Sequence, residues 1–244
     1  MRHLAILLFV AVPIHADALT DVRGALGRLA ATTPIRATFE LQRNETDEGK
    51  FANAKSAGRV AVEVESEGNS FRLVIPRAML ELVARELDAR AKDPNLPTPT
   101  ERALNDISTV VASEAVDGAP SLLRLMDDAK VLSDASGTWA GKPARVVVLR
   151  LADRIPKTPG KVTISENKLT LWLGSDHVPL AAELIRNLKF SFLVFKSEQR
   201  SKRSWHYARS GDRLLRARYE SNETTSGMGQ KGNDVVVSTL KVQG

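Results

Sequence analysis

Leu169-Thr170-Leu171-Trp172-Leu173-Gly174 and, past Ser175-Asp176-His177, the longer run Leu180-Ala181-Ala182-Glu183-Leu184 through Phe192 alternate apolar and other residues with a period of two. That period belongs to strands, whose successive side chains point to opposite faces of a sheet. Leu169, Leu171 and Leu173 share one face of the first run. Leu180, Ala182, Leu184, Leu188, Phe190, Phe192 and Val194 share one face of the second. Downstream, Trp205 with Tyr207, then Leu215, Ala217 and Tyr219, then Val236, Ser238, Leu240 and Val242 continue the pattern. Residues 161–242 therefore read as an antiparallel meander with one apolar face, and that face needs a cover.

Upstream, the chain carries both more strands and the cover. Asp17 to Ala31 has Leu19, Val22, Leu26, Leu29 and Ala30 at helical spacing, and Thr32-Thr33-Pro34 stops it. Ile35, Ala37, Phe39 and Leu41 then alternate with polar residues as a strand, and the polar stretch 44–53 reads as a turn or long loop. Val60, Val62 and Val64 form another strand, turned at Glu67-Gly68-Asn69-Ser70 into Phe71, Leu73 and Ile75. From 77 to 128 the spacing is helical and predicts three helices: one striped by Met79, Leu80, Val83 and Leu87, one opened by Thr98-Pro99-Thr100-Glu101 as a capping box, and a short one at 121–126. Gly137 to Lys142 reads as a tight turn leading into a strand at 146–151. Helices inserted among many strands give an α+β class. A sheet of about 8–11 strands curls strongly, so the expected fold is an incomplete antiparallel β-barrel covered by a helical lid.

Composition narrows the function. The chain of 244 residues has a formal charge of +6, which favours anionic partners without naming one. It has no cysteine, which excludes disulfides, thiolate metal sites and a cysteine nucleophile. Arg2-His3, the apolar run Leu4 to Val12 and the small-x-small Ala16-Asp17-Ala18 have the form of a secretory signal, expected to span 1–18. The run is shorter than the roughly 20 residues a membrane-spanning helix needs. A single domain at 19–244, soluble in the periplasm, is the expectation.

Three features together resemble the periplasmic lipoprotein-carrier family (LolA/LolB-like): the helix followed by strand Ile35–Leu41, the Gly58…Phe71-Arg72…Pro76 stretch, and Leu171-Trp172-Leu173…Val178-Pro179-Leu180 before a terminal meander. The resemblance implies a half-barrel that holds acyl chains in an apolar concavity and carries no catalytic residues. The helical segment 77–128 stands where that family continues with strands. Without cysteine the chain is not a lipid-anchored acceptor, so a soluble carrier is the nearer analogue.

The candidate ligand-binding residues are accordingly Phe39, Leu41, Val62, Leu184, Phe190, Phe192, Trp205, Tyr207 and Leu215, all on apolar phases of strands, with Arg186 among them. The same alternation describes a filled core equally well. Arg186 falls in phase with Leu184 and Leu188, where an unpaired charge is costly. It reads as a headgroup partner, as a tie to a lid helix, or as a residue turned outward by a bulge. Arg200, Lys202, Arg203, Arg209, Arg213, Arg216 and Arg218 form a basic cluster, either a docking face for anionic lipid or an envelope protein, or a solvated sheet face.

Asp176-His177 reads as a turn, and His206 as an exposed strand residue. No metal spacing, phosphate loop or converging polar set is present, so neither cofactor, metal nor catalysis is expected, and nucleic acid is not an expected partner. Two functions follow: a carrier or sensor of a lipid or acylated protein, or an envelope protein-interaction module with a filled core.

Overall fold

The computed structural model describes residues 17–49, 54–68, 70–155, 160–193 and 195–243. Residues 1–16, which hold most of the expected signal, lie outside them. Ten antiparallel strands form one curved, unclosed sheet, with five helices among the described residues. In chain order the elements are α1 (Ala18–Gly27), β1 (Ile35–Gly49), β2 (Ala54–Glu67), β3 (Ser70–Val74), α2 (Arg77–Lys92), α3 (Pro99–Asn105), α4 (Thr109–Val116), α5 (Ala119–Leu125), β4 (Lys130–Trp139), β5 (Lys142–Arg150), β6 (Lys161–Leu173), β7 (Pro179–Phe192), β8 (Phe195–Ser210), β9 (Arg213–Gly227) and β10 (Gln230–Val242).

The sheet order is β3-β2-β1-β10-β9-β8-β7-β6-β5-β4. The last strand pairs with the first, Phe39 opposite Leu240 and Gly49 opposite Gln230. The two open edges, β3 and β4, are joined in sequence by the helical segment, so that segment must pass from one edge to the other.

Two hydrophobic clusters lie between the helices and the sheet's inner face. One joins Leu19, Val22 and Leu26 of α1 and Leu122 of α5 to Leu149, Leu169, Leu171 and Leu184. Each of these large side chains contributes about 1.5–3 kcal/mol by leaving water. Arg145 of β5 ties α1 and β4 together, bonding Asp21 and Asp134 at 2.7 Å each. The second cluster packs Ala103 and Ile107, then Ala112 and Ala115 of α4, onto Phe39, Leu41, Val60, Val62 and Val64. Gly58 of β2 lets α3 settle: a β-carbon there would lie 2.0 Å from the Pro99 carbonyl oxygen.

The structure departs from the sequence reading at several points. Residues 44–49 continue β1 instead of forming a loop, because backbone pairing with both β2 and β10 extends the strand where apolar alternation has ceased. β4 is a strand without apolar alternation, an edge exposed along most of its length. The second helix breaks at Asp106–Ser108, where the Ser108 hydroxyl accepts from the Val111 amide at 3.1 Å, so four helices replace the expected three.

The capping box is not made: Thr98 forms no cap. Glu86 of α2 accepts instead from the Thr100 and Glu101 amides at 3.0 and 3.1 Å, placing a carboxylate from another helix at the positive end of α3. Finally, a register shift at His206/Tyr207 sets Arg216 opposite Tyr207, and Arg216 rather than Ala217 stacks 5.1 Å above the Tyr219 ring.

Candidate functional site: an arginine-lined cleft

Register fixes which side chains share the inner face of the central strands. Leu184 lies opposite Arg203, Arg186 opposite Ser201, and Leu188 opposite Gln199, without a shift anywhere between Ala181 and Phe192. No bulge turns Arg186 outward. It stays in phase with Leu184 and Leu188, and together with α5 these residues bound a cleft of about 430 Å³.

Four arginines reach this cleft: Arg124 from α5, Arg154 from the segment after β5, Arg186 from β7 and Arg203 from β8. Its three carboxylates are already engaged. Glu114 bonds Arg124 at 3.2 Å and meets Arg216 at 3.6 Å, Asp127 meets Arg154 at 3.7 Å, and Glu223 accepts from Gln199. Arg186 and Arg203 form no ion pair among the described residues. Arg186 donates only a long 3.4 Å bond to the Arg154 carbonyl, and its Nε is buried without a partner. A buried guanidinium nitrogen lacking an acceptor costs about 1–3 kcal/mol, which an incoming anion would recover.

The cleft has apolar walls, Leu125, Leu151, Leu184 and Leu188. From Leu188 an apolar strip continues on the same face of the sheet. Ile164 pairs with Leu188, Val162 with Phe190, and Phe192 closes the strand. The Phe190 ring lies 2.8 Å from where Gly160 would carry a β-carbon, so only glycine lets it lie down there. The other half of this face is polar: Arg43 bonds Asp106 and Asp234 at 3.0 and 2.9 Å, and Arg102 pairs with Glu45. Burial pushes the Asp234 carboxyl above its usual range, with Arg43 opposing.

The expected ligand residues thus separate. Phe39, Leu41, Val62 and Leu215 are core under α3 and α4. Trp205 and Tyr207 pack against the first cluster, with the Trp205 and Tyr219 rings 5.7 Å apart, and burial raises the Tyr207 hydroxyl pKa. Leu184, Arg186, Phe190 and Phe192 lie along the cleft and strip. Sequence reasoning missed Arg124 and Arg154, which no strand period marks. Arg203 was within reach, since counting by two from Trp205 points it inward.

The basic cluster does not make one face. Arg213 and Arg216 are buried, Arg213 donating to the Thr33 carbonyl and Arg216 to the Val111 carbonyl at 2.9 Å. Burial lowers the Arg216 pKa. Arg200, Lys202, Arg209 and Arg218 are paired with Glu198, Glu183, Asp176 and Glu220. Asp176-His177 is a turn, with His177 at φ 63°. Among the described residues no group of three or more His, Asp or Glu is placed to hold a metal ion, and no helix is long and apolar enough to cross a membrane.

No family model matches the chain, and no curated protein matches it. Among solved structures it is similar to the crystal structure of MucB in complex with MucA(peri), at 12% identity and a TM-score of 0.26, covering 91% of this chain and 93% of that one. A likeness of that size carries no argument. The fold defines the class: an α+β protein built on an open ten-stranded antiparallel sheet.

Proposed function

We propose that the protein is an exported, periplasmic carrier or sensor of an amphiphile, a lipid or an acylated protein. The anionic part of the ligand would meet Arg186 and Arg203, and an acyl chain would lie along Leu188, Phe190 and Phe192. The observation that carries this reading is Arg186: a guanidinium kept on an apolar phase, its Nε buried and unpartnered, at the head of a half-buried apolar strip. Export rests on the signal-like start, Leu4 to Val12 with Ala16-Asp17-Ala18. The segment α2–α5 acts as a lid in this reading. α2 supports that role, since it buries none of its own residues and leaves Leu80 and Leu87 exposed. No bond is made or broken in this function.

The test is calorimetric titration with a lysophosphatidate below its micelle concentration. Arg186→Leu is expected to weaken binding by about 10–100-fold, the loss of one charge-assisted hydrogen bond. Arg186→Lys should recover part of it. Wild-type affinity in Arg186→Leu, or no binding by the wild type, sinks the reading.

A second reading, an envelope protein-interaction module, is favoured by a different observation. Phe39, Leu41 and Val62 are fully covered, while β4 is an edge strand of the sheet that exposes Val131 and Leu132. Such an edge can receive a partner strand. A charge placed at Leu132 would abolish capture of a partner under this reading and leave lysophosphatidate binding intact under the first.

A further inference from the structure

At one end of the sheet two hairpins turn side by side. Phe192 pairs with Phe195 across the β7–β8 turn, Gly227 with Gln230 across the β9–β10 turn, and Ser197 with Gly227 between them. The apolar side chains at these turns are in water: Phe192 is 40% exposed, Phe195 42%, Met228 61% and Leu193 82%. Leu193 and Met228 also have φ of 53° and 55°, with Gly229 following at 75°. Positive φ at a hairpin turn favours Gly, Asn or Asp, and a large apolar residue there is disfavoured both by backbone sterics and by exposure. Two neighbouring turns accept the same double penalty.

Four exposed lysines surround these turns, two of them opposite a glutamate, Lys189 opposite Glu198 and Lys231 opposite Glu48. Lys189, Lys196 and Lys231 are exposed and within a few residues of the turns, and pairing with Ser191 brings exposed Lys161 beside them. Lys161 and Lys196 both lie opposite Ser191, Lys189 opposite Glu198, and Lys231 opposite Ser226, which puts all four on the face away from the helices. None enters an ion pair among the described residues. The carboxylates at this end are Asp47 and Glu48 of β1, and Glu198, which is bonded to Arg200.

We infer that the β7–β8 and β9–β10 turns dock the protein onto an anionic lipid bilayer. Leu193 and Met228 enter the acyl boundary with Phe192 and Phe195 behind them, and the lysines sit one layer back at headgroup height. The apolar side chains stand on two separate hairpin tips, and a bilayer accepts each of them independently. Apolar insertion backed by lysines is the pairing that interfacial attachment requires. This surface shares Phe192 with the apolar strip but contains none of the arginines of the cleft.

The test is co-flotation of the full-length mature chain with vesicles of pure phosphatidylcholine and of equimolar phosphatidylcholine and phosphatidylglycerol. Wild type should float with the anionic vesicles, and less so at high salt. Leu193→Asn combined with Met228→Asn relieves both turns, so the variant should keep or raise Tm while losing vesicle binding by at least about tenfold. Arg186→Leu should float as the wild type does, whatever happens to the cleft reading. The inference is overturned if wild type does not float, if the double Asn variant floats equally, if neutral vesicles bind as well as anionic ones, or if the double Asn variant loses only self-association.

Discussion

Asp212, in the β8–β9 turn, holds the chain between α1 and β1 by accepting from the Thr32 amide and hydroxyl at 2.8 and 2.6 Å and from the Thr33 amide at 2.9 Å. The Thr32 and Thr33 bonds favour the ionised carboxylate and hold its pKa well below the usual range. A carboxyl depressed on folding contributes stability above its unfolded pKa of about 3.9 and loses it as pH falls toward the folded value. Asp212→Asn is therefore expected to have a lower Tm than wild type at neutral pH, and the gap should narrow as both are melted at progressively lower pH below about 4. A gap that stays constant with pH would mean the charge is not what matters.

At this scale the sequence was partly readable. Counting by two put Arg186 in phase with Leu184 and Leu188 but left open a bulge that would turn it outward, and the unshifted β7–β8 register removes that alternative. Nor could the count say that Arg216, rather than Ala217, faces Tyr219. That depends on a register shift that no residue type announces.

At the scale of elements, α3 reaches the sheet because Gly58 has no side chain. Gly58→Ala would place a β-carbon 2.0 Å from the Pro99 oxygen and 3.1 Å from the Ala103 β-carbon, and backbone atoms cannot swing aside. Overpacking of this kind costs about 1–3 kcal/mol. Urea unfolding should show that loss, and an unchanged midpoint would mean α3 is not seated on β2.

The strands with apolar alternation, β6, β7, β3, the second half of β2 and the first half of β1, were legible from period, and β5 from its nearly continuous apolar run. β4 and the far half of β1 were not, since each is held by backbone pairing rather than by burying a face. The helices were legible in position but not in their ends. α3 takes its cap from Glu86, fourteen residues before Thr100, and local motifs cannot foresee a cap supplied by tertiary packing.

At the scale of the whole molecule, the chain leaves the sheet at β3, crosses as four helices and re-enters at β4, so the helical segment bridges the two open edges. Two clusters fill the space beneath α1 and α5 and beneath α3 and α4. What they leave is the 430 Å³ cleft and the strip from Leu188 to Phe192, running from Arg186, whose Nε is buried without a partner, toward the exposed turns at Leu193 and Met228. Under the proposed carrier function and bilayer docking, an amphiphile taken up at those turns would lie with its chain along the strip and its head at Arg186. The apolar periodicity located the inner face, but which part of it stays open is set by where short helices land, and that was not written in any one stretch.

The most direct measurement is native mass spectrometry of the purified protein, followed by solvent extraction and lipid analysis. A stoichiometric adduct that yields an anionic, acyl-bearing species, and that is lost in Arg186→Leu, is the expected result. A ligand-free mass that persists after incubation with lysophosphatidate would contradict the carrier account.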